Sequence, residues 1–244
     1  MLSKCSGLRV SLSVMYSSLI AVLPIFGLGG IGPAGLALGL LIAPQVTYAQ
    51  WLVAWTRSPS ITVVVNGDDP RITLVEEATA FWNKTLEGLG SGFRLGNITV
   101  ANRPVPEQDL REFGPWFVGP QGPNRPSAPA SLLAVPGDLI IYLAHSDFVS
   151  FASWFTPDER RVIGIRGITF PPMNQPNVAR NVITHEIGHG IGLGHNSDPT
   201  LLMCGRPAQC RPGEFRSDEP RIFPLSEDEK RQLLKMYPPN WRPR

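Results

Sequence analysis

The stretch His185-Glu186-Ile187-Gly188-His189-Gly190-Ile191-Gly192-Leu193-Gly194-His195 constrains this chain more than any other part of it. His185 and His189 are four residues apart, so on a helix they project from one face and can share a metal ion. Glu186 sits beside them, better placed to touch a bound water than to act as a ligand. His195 cannot join them on a straight helix. Six more residues would carry it about 9 Å along the axis, whereas the ligands of one zinc lie within roughly 4 Å of each other. The chain has to turn sharply, and Gly192 is the residue that can take a positive φ to do so. The spacing therefore predicts a helix, a glycine turn and a returning third ligand.

That arrangement has a definite chemistry. Three neutral imidazoles hold Zn²⁺ and leave a fourth position for water, as in catalytic zinc sites. The ion lowers the pKa of that water from 15.7 toward about 7 and polarises a carbonyl oxygen. Glu186 would take the proton as water attacks a peptide carbonyl, then return it to the leaving amine. Composition points the same way, because three of the chain's four histidines fall in this stretch. Gly188, Gly190, Gly192 and Gly194 each cost a helix up to about 1 kcal/mol relative to alanine. A purely structural helix has no use for them; close approach of neighbouring backbone and a metal turn would explain them. The remaining histidine, His145, stands at the end of an expected strand and reads as a hydrogen-bonded or surface residue. Asp147 and Asp158 read as solvated loop acids. Calcium has no supporting motif.

The surrounding sequence predicts a framework for this helix. Ser60 to Asn66 alternates Ile61, Val63 and Val65 with other residues, the period of a strand. Asp69-Pro70 reads as a helix start, followed by Ile72, Val75, Ala78, Trp82 and Leu86 at helical spacing, with Gly88 or Gly90 as the stop. Phe93 to Val100 is expected to be a second strand. Arg103 to Pro136 is rich in Pro and Gly and reads as a long surface loop pinned by Trp116 and Phe117. Asp138 to Ala144 is apolar on both faces, as a central strand should be, and Val162 to Phe170 reads as a further strand or tight hairpin. A helix from about Asn177 carries the first two histidines. Its Ile183, Ile187 and Ile191 recur about 200° away from them, so one side packs on the core while the other faces the metal. Ser226-Glu227-Asp228-Glu229 has the form of a capping box, opening a helix with Leu233, Leu234 and Tyr237 that stops at Pro238-Pro239. The order indicates an α+β domain with a twisted mixed sheet packed on helices.

The first 49 residues contain Lys4 and Arg9 but no acid, and from Val10 the segment is dominated by Leu, Ile, Val, Ala and Gly up to Thr47-Tyr48-Ala49. This is the outline of an export signal. Residues 1–49 are expected to be a signal peptide cleaved after Ala49, with a signal anchor over Ser18 to Ala43 as the alternative. Residues 50–244 are expected to form a metallopeptidase catalytic domain. The full chain carries 22 basic and 20 acidic residues; without Lys4 and Arg9 the two balance at 20 each. No basic run with interleaved aromatics appears, so a nucleic-acid partner has no electrostatic support. Export would allow Cys204 and Cys210 to pair, with two reduced buried thiols as the alternative.

His185, Glu186, His189, Gly192 and His195, followed by Met203, resemble the metzincin clan of zinc metallopeptidases. The run from His195 through Asn196-Ser197-Asp198-Pro199-Thr200-Leu201-Leu202 to Met203 resembles its matrixin branch. The resemblance is specific over 185–203 and extends by order of elements over 60–237. It implies a zincin domain with its zinc cleft beneath an edge strand, Met203 as a floor under the histidines, and substrate bound antiparallel to that strand, for which Val162 to Phe170 is the candidate. There are departures. Asn196 stands where matrixins have Ser or Thr, and Cys204-Gly205 replaces the usual Tyr-Pro, so specificity does not carry over. With His145 alone outside the motif, the branch's structural zinc is not expected, and no propeptide with a cysteine switch is visible. The expectation is an exported, monomeric zinc endopeptidase with His185, His189 and His195 as ligands of one catalytic Zn²⁺, Glu186 as general base, and a protein or peptide as substrate. A membrane is a partner only if the leader is retained. The alternatives are an inactive metal-dependent binding module of the same fold and a metal hydrolase of a non-peptide amide.

Overall fold

In a computed structural model of the chain, residues 54–118, 128–154, 160–205 and 217–244 are described. The chain divides into two units, 1–46 and 47–244, and every described residue lies in the second. The leader, Cys210 and Asp158 lie outside the described residues. Among the described residues, no helix is long and apolar enough to cross a membrane.

Five strands form one mixed sheet: β1 (Ile61–Val65), β2 (Ile98–Asn102), β3 (Leu139–Leu143), β4 (Phe151–Trp154) and β5 (Arg161–Ile165). Their order is β2-β1-β3-β5-β4. The first four in that order run parallel, while β4 pairs antiparallel with β5 at the edge. β1, β3 and β5 are buried along their whole length, as strands covered on both faces must be. Alternation then assigns their side chains. Ile61, Val63, Val65, Leu139, Ile141, Leu143, Ile163 and Ile165 point into one core. Val64, Ile140, Tyr142 and Val162 point into the other.

The first core is closed by three helices: α1 (Arg71–Gly88), a later helix over Pro176–Gly190, and a final one over Glu227–Met236. The second lies under two short helices, α2 (Glu107–Phe113) and α3 (Pro115–Val118), and a 3₁₀ turn over Ala130–Leu133. The helices of the first core are thus α1, α4 and α5 in chain order. At the start of α1 the Asp69 carboxylate accepts from the Arg71 N–H at 2.9 Å. The same carboxylate ion-pairs with the fully buried Arg71 guanidinium. That guanidinium also donates to the carbonyls of Ala144 (2.8 Å) and Arg166 (2.7 Å), tying α1 to the ends of β3 and β5. α5 opens on the expected capping box between Ser226 and Glu229.

Several expectations are corrected. Val162 to Phe170 is not an edge strand: β5 ends at Ile165 and lies between β3 and β4, so the edge on that side is β4. An internal parallel strand and an edge strand are both short apolar runs, and only long-range pairing separates them. The second strand is shorter and later than Phe93 to Val100, because Phe93 turns inward to stack on Tyr237 at 4.0 Å. The segment 103–136 is not a structureless loop, since it holds α2, α3 and the 3₁₀ turn. Phe117 pins it by stacking on Phe151 at 5.8 Å, whereas Trp116 is exposed.

Candidate metal centre

α4 begins with Pro176 at its first turn, where a missing N–H costs nothing. Its Ile183, Ile187 and Ile191 are fully buried against the sheet, which leaves His185 and His189 on the opposite side. Gly190 lets the helix approach the sheet closely, since a Cβ there would lie 3.2–3.3 Å from Leu139 and Ile163 methyls. The helix ends there, and Gly192 takes φ +105°, the turn that the spacing demanded. The chain then returns and His195 joins the other two.

The three rings converge on one point. His195 Nε2 lies 3.2 Å from His185 Nε2 and 2.9 Å from His189 Nε2. His185 Nδ1 is 2.8 Å from the Leu202 carbonyl oxygen and His189 Nδ1 is 2.7 Å from that of Leu193. A carbonyl can only accept, so both Nδ1 atoms carry the proton and both Nε2 atoms present lone pairs to the shared point. Lone pairs packed this closely repel unless a cation lies among them. A tetrahedral zinc with Zn–N bonds of about 2.05 Å sets its nitrogens about 3.3 Å apart, close to what these residues offer. His185, His189 and His195 can hold such an ion, with one ligand atom from each. Burial first, then the neighbouring His185 and His195, hold the His189 imidazole well below its ordinary pKa, so it stays in the neutral form a metal needs. Glu186 is buried in the same helix, and burial pushes its carboxyl up to about 8. A dication acts in the opposite direction and favours the carboxylate.

One short segment, 202–205, serves all of this from below. Leu202 supplies the carbonyl that orients His185. Met203 is fully buried with its sulfur against Gly188, where a Cβ would lie only 2.6 Å from Sδ. Met203 thus packs against the helix that carries His185 and His189. Asn196 N–H donates to the Met203 carbonyl (2.8 Å) and Gly205 N–H to the Asn196 carbonyl (2.9 Å), so the residue after His195 is paired to the segment that holds Met203. Gly205 seats the His195 ring, since a Cβ there would lie 3.1 Å from its Cγ. Asn196 also donates from its side-chain amide to Glu229 Oε1 at 2.6 Å, linking the neighbour of His195 to the capping box of α5.

The other candidates lie elsewhere. His145 is exposed beyond β3, with its N–H donating to the Glu107 carboxylate at 2.7 Å. Asp147 pairs with Arg166 at 2.6 Å. Cys204 is buried, and the pairing expected for it depends on Cys210, outside the described residues. Sequence reasoning missed the carbonyls of Leu193 and Leu202, because backbone acceptors leave no composition signal. It registered Asn196 only as a departure, although an amide next to a ligand is a signal for such a tether.

No protein-family model matches this chain. Human matrilysin is 35% identical to it over 54 residues, which is 22% of this chain and 17% of the relative. The match thus spans less than a fifth of the relative's length. A solved structure of archaemetzincin from Methanopyrus kandleri is similar with a TM-score of 0.46 at 15% identity, covering 74% of this chain and 96% of that one. The mixed five-stranded sheet, the helix bearing His185 and His189, and the glycine turn to His195 are consistent with a metzincin-like zincin fold.

Proposed function

We propose that this chain is an exported zinc-dependent endopeptidase of the matrixin-like metzincin kind. The observation that supports it best is the convergence of three Nε2 atoms within 4.8 Å of one another, two of them fixed by Nδ1 bonds to backbone carbonyls. When bound, zinc would lower the pKa of a water toward about 7 and polarise the scissile carbonyl. Glu186 acts as general base. It takes a proton as the water oxygen bonds to the carbonyl carbon, and delivers it to the amine nitrogen as the C–N bond breaks. Met203 and Gly205 hold the ligand cluster in shape while this happens. Export rests on the composition of residues 1–49.

The test is cleavage of a mixed peptide library read by mass spectrometry, beside Glu186→Ala. The protein should release new peptide termini, and the variant should keep zinc but lose cleavage. Wild type as inert as Glu186→Ala, with zinc bound, would refute the enzyme reading and leave the binding module. Turnover confined to non-peptide amides would refute the peptide substrate. Finding Gln50 at the N-terminus of the extracellular protein would support export with cleavage; an intact leader at the membrane would refute it.

A further inference from the structure

A helix leaves its last carbonyls without backbone partners, and an enclosed end must find them elsewhere. At the end of α4 this matters more than usual, because Gly190, Ile191 and Gly192 are the turn between two of the three histidines. Backbone N–H groups of Ile191, Gly192 and Leu193 serve the carbonyls of Ile187, Gly188 and His189. The carbonyls of Gly190 and Ile191 instead receive side chains from distant parts of the chain. Arg161, the first residue of β5, donates to the Gly190 oxygen at 2.6 Å, and Trp55 donates its indole N–H to the same oxygen at 2.9 Å. Tyr237 donates its hydroxyl to the Ile191 oxygen at 2.8 Å and accepts from the Trp55 backbone N–H at 3.2 Å.

Arg161 is the charged member of this group and is only 3% exposed. Burying a guanidinium is costly unless its surroundings replace the lost water. Here two features of the surroundings offset part of that cost. The cation lies at the negative end of the α4 dipole, and its guanidinium carbon sits 4.1 Å from the centroid of the Trp55 ring. The Tyr237 ring is held in turn by its stack on Phe93, so the clamp is anchored on both sides.

We propose that Arg161, with Trp55 against it, is a positioning residue of the metal centre, locking the Gly190–Gly192 turn that sets His195 relative to His189. The proposal rests on the metal reading of the triad and goes beyond it by assigning the precision of that triad to a cation on a different element. Outer partners of this kind typically change metal affinity by about 10–100-fold.

The experiment measures zinc affinity by competition with a chromophoric chelator, and the visible absorption of the cobalt-substituted protein, for the full chain and four variants. Arg161→Met should weaken zinc at least about tenfold and alter the cobalt spectrum, and Arg161→Lys should recover part of both. Val64→Ala, in the core on the other side of the sheet, serves as a control for general loss of stability. It should lower the thermal transition without moving the cobalt spectrum. Should Arg161→Met fail to fold, Tyr237→Phe, which removes only the hydroxyl, should still shift the spectrum. Zinc affinity and spectrum unchanged in Arg161→Met would overturn the proposal alone. So would equal changes in Val64→Ala. Wild type that binds no zinc would overturn the metal reading together with it.

Discussion

Gly188→Ala is the substitution whose sign best separates this account from ordinary helix energetics. In the interior of a helix, glycine to alanine normally stabilises by about 1 kcal/mol. Here the new Cβ would lie 2.6 Å from Met203 Sδ, 2.8 Å from Trp82 Cζ2 and 3.0 Å from Met203 Cε. Neither neighbour can easily yield. Trp82 is fully buried, and its indole N–H donates to the Thr184 carbonyl of the same helix at 2.9 Å. Met203 has a flexible end but is fully buried, with its backbone tied to Asn196. Overpacking of this kind costs about 1–3 kcal/mol, so the propensity gain is cancelled or reversed. We expect a net loss of up to about 2 kcal/mol, a fall in Tm of a few degrees for a domain this size. Weaker zinc binding should accompany it, because Gly188 immediately precedes His189 and Met203 immediately follows Leu202, whose carbonyl orients His185. Calorimetry and chelator competition read the two effects. In a double-mutant cycle, Met203→Ala should shrink the penalty of Gly188→Ala by more than about 0.5 kcal/mol. A raised Tm with unchanged zinc affinity would refute the packing argument.

Gly205→Ala should act on the metal and hardly on the fold. Its Cβ would press on the His195 ring at 3.1–3.3 Å, so zinc affinity should drop several-fold with Tm nearly unchanged, as competition and calorimetry would show. Asn196→Ala removes the amide that donates to Glu229. It should loosen zinc and cost about 1–2 kcal/mol in urea unfolding, because the buried Glu229 loses a partner. Burial works to raise the Asp69 carboxyl, but the Arg71 guanidinium and N–H hold it below the ordinary value. Its contribution to stability is therefore present above the unfolded pKa of about 3.9 and is lost as pH falls through the lower folded value. Asp69→Asn should cost about 3–5 kcal/mol at pH 7, and its gap from wild type should narrow below about pH 4 in denaturant titrations. A chelator should lower Tm, and zinc restored at 100 times its Kd should return about 2.7 kcal/mol.

Much of the centre was legible because its chemistry is local. The four-residue spacing of His185 and His189, the helix start at Pro176 and the positive φ required at Gly192 are properties of one helix and one turn, and the structure agrees with each. The capping box at Ser226 is equally local. What escaped is long-range. Which of several apolar runs lies at the sheet edge depends on pairing between distant strands, so the run of β5 reads like an edge strand and the four-residue β4 leaves no clear signal. α2 was hidden because the prolines flanking Glu107–Phe113 dominate the reading of 103–136. The glycines of the motif signalled close approach, but not what approaches: Met203 and Trp82 at Gly188, the sheet at Gly190. Arg161, Trp55 and Tyr237 carry no motif, and their shared task becomes visible only when the end of α4 is seen to need partners.

The claim on which everything else stands is that His185, His189 and His195 form one metal centre. Zinc per chain after equilibrium dialysis tests it most directly, for the protein, for Glu186→Ala and for each single histidine-to-alanine variant. The account predicts about one zinc for the first two and loss of tight binding in all three histidine variants. Undiminished zinc in any histidine variant, or none in the unaltered protein, would contradict it.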